Sequence, residues 1–313
     1  MKVKIGSVAG IILSLMIASC NQAPTTQYRD TPTSGEAHIA GDFLYKTMLD
    51  SEIQIFTHEY QKASIAVDYM SEALAVKAFL SDSIDGIVIG RELNASETKT
   101  FRDKKKYDPK TVRLATDAVA VIVHPDNKAE DLTIDLLRNI LNGSTTDWGD
   151  GRKIEVLIDN EGSGIITFLR DSVMAGSSFG KNVYTLPQGT TMIDYVATHP
   201  NAMGFVGVNQ ITSFDGDANQ VFNEKIKPLA IGKVAGLKSY KPYQAYVASR
   251  NYPLLRFTNF IFNESHNGLT SGFATFMASD KGQRIILKDG LVPANAPIRL
   301  IQVNTSANDI NSR

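Results

Sequence analysis

The stretch Thr111–His124 reads TVRLATDAVAVIVH and is followed at once by Pro125-Asp126-Asn127. Its apolar residues form a long run that Thr116-Asp117 interrupts near the middle. Because Pro-Asp-Asn is typical of a turn, the segment predicts one long strand that stops there. A second apolar segment, Tyr243–Ser249, predicts another long strand. We expect the chain to cross between two lobes at these two segments.

On either side of this stretch, short apolar runs alternate with helical patterns, which is typical of an α/β fold. Further strands are predicted at Ala37–Ala40, Ile65–Tyr69, Gly86–Ile89, Lys153–Ile158, Met203–Val208 and Pro228–Ile231. Helices are predicted at Phe43–Tyr60, Ser71–Leu80, Ser96–Lys106, Leu132–Leu141, Ser163–Met174 and Thr191–Thr198, and Leu254–Leu287 is expected to be helical. The two crossings divide this α/β chain into a discontinuous lobe I (35–117 and 248–305), a lobe II (118–247) and a tail (306–313).

The N-terminus has the features of a lipoprotein signal peptide, predicted over residues 1–20. Two lysines in Met1–Lys4 precede the uncharged, mostly apolar run Ile5–Ser19, which is short for a membrane span. The run ends in Ile17-Ala18-Ser19-Cys20, which resembles a bacterial lipobox, and Cys20 is the only cysteine of the chain. The alternative is a buried first helix with an incidental thiol. We predict lipidation at Cys20, a flexible tether over 21–34, and a periplasmic or cell-surface protein that contacts the membrane only through its lipid.

Composition and motifs argue against several classes of function. The formal net charge is −1, so the chain lacks the basic surface of a nucleic-acid binder. The five histidines show no metal-ligand spacing, and no phosphate-binding or dinucleotide-binding loop is present. Gly162-Ser163-Gly164 superficially resembles a nucleophile elbow, but that motif needs glycine where Glu161 and Ile165 stand. We therefore expect no enzyme, no metal and no cofactor.

The segment Ile158–Ile165, IDNEGSGI, predicts a strand that turns into a helix. Helix N-termini present unpaired N–H groups and partial positive charge, so this turn is a candidate anion site. Its candidate ligand-binding residues are Asn160, Glu161, Ser163, Gly164 and Ile165. The alternative for Ser163 is a simple N-cap of its own helix.

Two further strand-to-helix turns carry candidate ligands, Asp42-Phe43 and Ser71. Turns of this kind meet at one cleft because ligands in open α/β sheets lie beyond the carboxyl ends of the strands. Asp42 and Glu161 are candidate acceptors for a proton carried by an oxyanion, or else ordinary acids of a first helical turn. Arg91 follows a strand directly and is a candidate for a bidentate bond to an oxyanion, or else a surface arginine paired with Glu92 or another neighbour.

Several motifs in a fixed order resemble PstS-type phosphate-binding proteins of ABC transporters. Thr116–Asn127 is similar to the family's crossover segment DAxAxIVxPxN, and Gly162-Ser163-Gly164 lies where the family carries EGSGT. The segment His199–Gly207 is similar to xPGAIGYVG, and Val292-Pro293-Ala294 matches a C-terminal landmark. The resemblance covers about residues 31 to 300. It implies a type II periplasmic-binding-protein fold, with two α/β lobes joined by two crossover strands. It also implies closure of the lobes around phosphate and delivery of the anion to an ABC transporter permease.

The sequence departs from the family pattern at the anion loop. Asp159 stands where the family has an arginine, and Ile165 replaces a threonine that follows Ser-Gly. One guanidinium and one hydroxyl are therefore missing, and Arg91 is the residue that we expect to replace the missing cation. Three functions stay open: a receptor for phosphate or a related oxyanion, a non-transport sensor or adhesion lipoprotein on the same fold, and a hydrolase that uses Ser163 or a carboxylate. A monomer suits a receptor that closes about a hinge.

Overall fold

The computed structural model describes residues 30–160, 162–215 and 219–295. The predicted signal peptide, Cys20, Glu161 and the tail 306–313 lie outside these ranges. The end of the predicted tether lies inside them and is folded onto the protein. Thr31 and Ser34 exchange backbone hydrogen bonds, and the Asp30 carboxylate accepts one from the N–H of Leu269. Within the described ranges, no helix has the length and apolar character that a bilayer crossing requires.

Fourteen strands are formed by the described residues. They are β1 (Ser34–Asp42), β2 (Lys62–Met70), β3 (Gly86–Ile89), β4 (Lys110–Val123), β5 (Asp131–Thr133), β6 (Glu155–Ile158), β7 (Val183–Thr185), β8 (Ala202–Gly207), β9 (Thr212–Asp215), β10 (Asn219–Phe222), β11 (Lys227–Pro228), β12 (Ala230–Gly232), β13 (Leu255–Phe262) and β14 (Val292–Pro293). The main sheet has the order β2-β1-β3-β13-β4-β8-β6-β7, and two small sheets pair β9 with β10 and β5 with β12.

Strand β4 joins the two halves of the main sheet. Its first part pairs antiparallel with β13, as far as Ala118 opposite Leu255. From Val119 onward it pairs antiparallel with β8 instead. The strand runs through Thr116-Asp117 without a break. Its last seven residues, Asp117 to Val123, are all buried. The quoted stretch is therefore one continuous strand shared by both halves, as the two-lobe prediction requires of a crossing.

Ten α-helices cover the sheet in the described part of the chain. They are α1 (Lys46–Glu59), α2 (Glu72–Ser81), α3 (Ala95–Lys105), α4 (Ile134–Leu141), α5 (Gly164–Phe168), α6 (Met192–Thr198), α7 (Val208–Ile211), α8 (Gln244–Ala248), α9 (Leu269–Ala278) and α10 (Asp280–Lys288). A single 3-10 turn at Phe43–Tyr45 precedes α1, and a π-helical turn at Leu169–Val173 continues α5. Aromatic contacts fix α1 against α9, because the Phe56 ring lies 5.2 Å from that of Phe273 and 5.3 Å from that of Phe276.

Two secondary-structure predictions are wrong. Tyr243–Ser249 is not a strand, since its centre forms helix α8, preceded by Pro242. Tyr243, the N-cap residue, lies three residues before Tyr246 of the helix, and the two rings contact each other edge to face. The predicted helical segment Leu254–Leu287 begins with strand β13, which is central in the sheet and mostly buried. A short apolar run of this kind fits a buried helix or a buried strand equally well by periodicity.

A buried ionic network lies where β4 passes from one half to the other. The Asp117 carboxylate accepts hydrogen bonds from Arg256 through Nε (2.9 Å) and Nη2, and from the Tyr45 hydroxyl (3.1 Å). It also accepts one from the N–H of Ala118 at 2.6 Å. Asp117 is 0% exposed and Arg256 3%. A buried carboxylate and guanidinium are tolerated because each is the other's counter-ion.

Glu52 on α1 is a buried acid of a different kind. It is 0% exposed, and neither carboxyl oxygen has a hydrogen-bond partner. Burial raises the pKa of Glu52 from 4.5 to about 8. The folded protein therefore holds the Glu52 proton more tightly than the unfolded chain does. The stability from this group is complete below pH 4.5 and is lost as the pH rises through about 8.

Replacing Glu52 by Leu is expected to stabilise the protein by about 1–2 kcal/mol at neutral pH, because it removes an unsatisfied polar group and keeps a similar volume. The gain should shrink below pH 4.5, where the unfolded chain also carries the Glu52 proton and folding no longer has to bind one. Urea unfolding at several pH values measures this. Glu59→Leu on the same helix, at a partly exposed acid paired with Lys281, is the control and should show no such pH-dependent gain. A Glu52→Leu variant that is less stable than the wild type at neutral pH would contradict the view that the buried Glu52 carboxyl is unsatisfied.

Candidate functional site

A cleft of about 630 Å³ lies between the two halves of the main sheet. The parallel strands β1 and β2 end on one side of it, and β6 and β7 end on the other. Its lining residues are Asp42, Phe43, Leu44, Ser71, Asp159, Asn160, Ser163, Ile165, Leu186, Gly189, Thr190, Thr191, Met192, Ile193, Phe205, Val206 and Gln210. Six candidates from the sequence are among them: Asp42, Phe43, Ser71, Asn160, Ser163 and Ile165. The convergence of strand ends thus forms a cleft of the size that small-molecule sites have.

The first side of the cleft is formed by the residues that follow β1 and β2. Asp42 caps the 3-10 turn, with its Oδ1 accepting from the N–H of Leu44 at 3.0 Å. Phe43 beside it is 57% exposed and lies at the cleft. Ser71 is the N-cap of α2, yet its side chain makes no capping hydrogen bond. Its hydroxyl is therefore not committed to its own helix.

The second side is the loop between β6 and α5. The Asn160 side-chain oxygen accepts from the N–H of Gly162 at 3.1 Å, which fixes the turn. Ser163 is 4% exposed, and its Oγ accepts from the N–H of Ile165 at 3.2 Å. The N-cap alternative for Ser163 is thus correct, but a hydroxyl that accepts with its oxygen still has its proton to donate to a ligand.

The two sides touch at one edge of the cleft. The N–H of Ala73 donates to the carbonyl of Gly162 at 3.1 Å. Gly164 lies against two carboxylates of the first side, and a Cβ built on it would be 2.6 Å from Glu72 Oε2 and 3.1 Å from Asp42 Oδ2. Gly164 does not line the cleft. Its lack of a side chain is what permits this close approach of the two halves.

Asp42 is 4% exposed, and its Oδ2 lies against the backbone of Gly164. Burial raises the pKa of Asp42 to about 6, and the neighbouring Glu72 carboxylate adds to the rise. The N–H of Leu44, the positive charge of Arg256 and the N–H of Gly164 act in the opposite direction. Asp42 thus places a desolvated carboxyl at the wall of the cleft, with Oδ1 on the N–H of Leu44 and Oδ2 against Gly164.

The structure does not place Arg91 at the cleft. Its guanidinium forms a bidentate pair with Glu97, at 2.7 Å and 3.0 Å, and its Nε donates to Glu72 Oε1 at 2.8 Å. The expectation that Arg91 replaces the missing cation of the anion loop is therefore not met by this geometry. Among the described lining residues, none is a lysine, an arginine or a histidine.

A family model for the PBP superfamily domain matches residues 26–281. The chain belongs to the PBP superfamily. Among its relatives, the phosphate-binding protein PstS of Pseudomonas aeruginosa is 22% identical over 310 residues, which is 93% of each chain. PstS of Bacillus subtilis is 24% identical over 266 residues, 83% of this chain and 81% of its own.

Solved structures of the same superfamily share the fold. A putative phosphate ABC transporter substrate-binding protein from Clostridium perfringens, with bound phosphate, has a TM-score of 0.69 at 18% identity and covers 83% of this chain and 99% of its own. An ABC-type phosphate transport receptor from Vibrio cholerae has a TM-score of 0.65 at 20% identity, with 83% and 100% covered. These similarities confirm the predicted type II fold with two α/β lobes. The residue boundaries of the lobes stay a prediction.

Two buried charged residues next to the cleft were missed by sequence reasoning. Glu72 is 2% exposed and lies next to Gly164. Its carboxylate accepts hydrogen bonds from Arg91 and from the N–H of Gly90. In the sequence it is only an acid in the first turn of α2. Arg256 lies on β13, far along the chain, and acts on Asp42 through its charge. The sequence signal for Arg256 was a lone cation inside an apolar run, which predicts a buried ion pair.

A second polar cluster lies away from the cleft, at the start of the described chain. Single ligand atoms of Asp30, Glu264 and His266 lie within 4.8 Å of one another. The Glu264 carboxylate accepts the backbone and hydroxyl donors of both Thr270 and Ser271, and Asp30 bonds to His266 at 2.9 Å. These hydrogen bonds cap α9 and hold the start of the chain against it, which accounts for the cluster without a metal ion.

Proposed function

We propose that the protein is an exported, lipid-anchored receptor that captures phosphate or a related oxyanion between its two lobes and delivers it to an ABC permease. The observation that carries the proposal is the cleft itself, which Ser71, Ser163 and the carboxyl of Asp42 line from the strand ends of both halves. Hydroxyl donors and a carboxylate acceptor are a suitable set for a protonated oxyanion. The receptor is a binding protein without catalytic residues.

The relatives support this function for the chain. PstS of Pseudomonas aeruginosa is named a phosphate-binding protein, and the Vibrio cholerae structure is described as a phosphate transport receptor. Capture between two lobes is a hinge motion selected by contacts from both sides. A monomer anchored through Cys20 would leave both lobes free to close. Residues 1–20 carry the signal for export and for the anchor.

One observation favours a second candidate, a sensor or adhesion lipoprotein that uses the same fold without transport. The loop arginine of the family is replaced by Asp159, and Arg91 is held by Glu72 and Glu97 instead of replacing it. A protein that has lost the cation of its anion loop is a candidate for altered or weakened ligand binding.

A ligand screen separates the two candidates. Thermal unfolding and calorimetry with phosphate, sulfate, molybdate and small organic acids detect any ligand that binds the folded state. Phosphate at a hundredfold excess over its Kd is expected to stabilise the receptor by about 2.7 kcal/mol. Absence of a shift with every oxyanion would refute the receptor and leave the sensor or adhesion protein. Detergent-phase partitioning of the full-length protein from cells tests the anchor.

Ser163→Ala and Arg91→Ala form a matched pair with opposite expected results. Ser163→Ala should weaken phosphate binding about tenfold, because one hydrogen bond to a charged ligand is lost. Arg91→Ala should change it by less than about fivefold, because the guanidinium pairs with Glu72 and Glu97 and does not line the cleft. Calorimetric titration measures both. A severe loss with Arg91→Ala would return Arg91 to the ligand site.

A further inference from the structure

The cleft is larger and more apolar than an inorganic oxyanion requires. Its volume of about 630 Å³ equals that of roughly twenty water molecules, so a tetrahedral anion would fill only a small part of it. Eight of the seventeen residues that line it in the described chain carry an aliphatic, aromatic or thioether side chain. Sites for small organic molecules combine such apolar walls with a few polar groups that fix the orientation of the ligand.

On the first side of the cleft, the strand register places an aromatic residue beside a hydroxyl group. Asp42 at the end of β1 pairs with Met70 at the end of β2, so Phe43 and Ser71 follow at neighbouring positions. Phe43 is 57% exposed although it lines the cleft, so the described chain leaves most of its side chain uncovered. The Ser71 hydroxyl makes no capping bond to its own helix. A ligand with one polar and one apolar end would contact both residues.

The second side of the cleft repeats this arrangement with aliphatic side chains. Ile158 of β6 pairs with Thr185 of β7, so Leu186 lies next to the start of the loop that carries Ser163. Leu186 and Ile193, the latter in the first turn of α6, are partly buried and pack on one hydrophobic cluster. The two residues form an apolar wall on the side of the cleft opposite to Phe43.

The polar part of the lining offers an oxyanion neutral donors. Its described residues include no lysine, arginine or histidine, whereas Ser71, Ser163 and Thr190 supply hydroxyl groups. The head of the ligand is therefore bound without the bidentate ion pair that a guanidinium would form. Contact of an apolar group with the walls adds favourable free energy that an inorganic anion cannot obtain, because it removes apolar surface from water.

We propose that the ligand of this cleft is an organic phosphoryl compound, a phosphonate or a phosphate monoester with a short alkyl or aryl group, in preference to inorganic phosphate. This inference rests on the proposed function and names the ligand class of the same site. Ser71 and Ser163 donate hydrogen bonds to the phosphoryl oxygens. The apolar group lies between Phe43 on one side and the wall of Leu186 and Ile193 on the other.

Calorimetric titration of the wild-type protein with inorganic phosphate and with methyl-, propyl- and butylphosphonate, all at one pH, tests the proposal. The three phosphonates share a charge state, so differences between their affinities report the apolar group. The affinity should rise about threefold to fourfold for each added methylene, and butylphosphonate should bind about thirtyfold more tightly than methylphosphonate. Propyl phosphate has a similar length to butylphosphonate, so comparing the two shows whether the ester or the phosphonate is preferred.

Two variants at exposed apolar residues test where the alkyl group lies. Phe43→Ala should reduce the gain in affinity to less than about twofold for each methylene, because one of the two apolar walls is lost. Leu237→Ala is the control, since Leu237 is 65% exposed on a loop that does not line the cleft. This control variant should keep the gain of the wild type.

The failure of this inference and the failure of the proposed function give different results. An affinity that stays constant or falls from methyl- to butylphosphonate overturns the organic ligand and leaves the phosphate receptor standing. The same holds if inorganic phosphate binds more tightly than butylphosphonate, or if Phe43→Ala keeps the full gain for each methylene. Absence of binding for phosphate and for every phosphonate overturns the receptor, and the organic ligand with it.

Discussion

Arg256→Met is expected to destabilise the protein by about 3–5 kcal/mol, since it leaves the Asp117 carboxylate buried without its counter-ion. Methionine fills most of the space of the arginine stem, so the loss reports the charge more than the volume. Asp117 is fully buried and would keep only the neutral donors Tyr45 and the N–H of Ala118. The free energy of unfolding from urea titration measures the effect.

Two further variants isolate the ion pair. Arg113→Met on β4 removes a half-exposed arginine that pairs with Glu92, and it should cost less than about 1 kcal/mol. Asp117→Asn combined with Arg256→Met removes both charges and keeps an acceptor for Ala118, so the double variant should be more stable than Arg256→Met alone. If the change in the free energy of unfolding of the double variant equals the sum of the changes for Asp117→Asn and Arg256→Met alone, the two charges do not interact.

The position of the cleft could be predicted from the sequence because it follows from a local rule. A turn that follows a buried parallel strand lies at the carboxyl edge of the sheet, whichever strands are neighbours. This rule located Asp42, Ser71 and Ser163 without any knowledge of strand order. Strand β4 was predicted for a similar reason, because its apolar run is long and a turn sequence stops it.

The parts that failed depend on which strands and side chains become neighbours in the fold. Strand β13 inserts between β3 and β4, and only that order brings Arg256 next to Asp117. Arg91 was expected at the cleft because it follows β3, but Glu97 and Glu72 capture its guanidinium. A strand end fixes where a backbone lies. It does not fix the direction of a long side chain that has carboxylates within reach.

Gly164→Val is expected to weaken ligand binding by roughly 100-fold or more, because the added side chain enters the contact between the two halves of the protein. The atoms nearest to a Cβ at position 164 are carboxyl oxygens of Glu72 and Asp42. Such oxygens would move aside if their side chains were free to move, but these two are held in place. Glu72 Oε2 is held by the N–H of Gly90 at 3.2 Å, and Oε1 of the same carboxylate accepts from Arg91. Asp42 is buried and capped on Leu44, so neither carboxylate has room to retreat.

The Gly164 backbone has no positive φ, so valine adopts it without strain and the variant should fold. The two lobes of the variant should close less completely than those of the wild type. Small-angle X-ray scattering without ligand should then give a larger radius of gyration for the variant. Glu72→Ala should partly restore closure and binding to Gly164→Val by removing the oxygen nearest to the new side chain. If Gly164→Val binds as the wild type does and has the same radius of gyration, the contact between Gly164 and the two carboxylates has no part in closing the lobes.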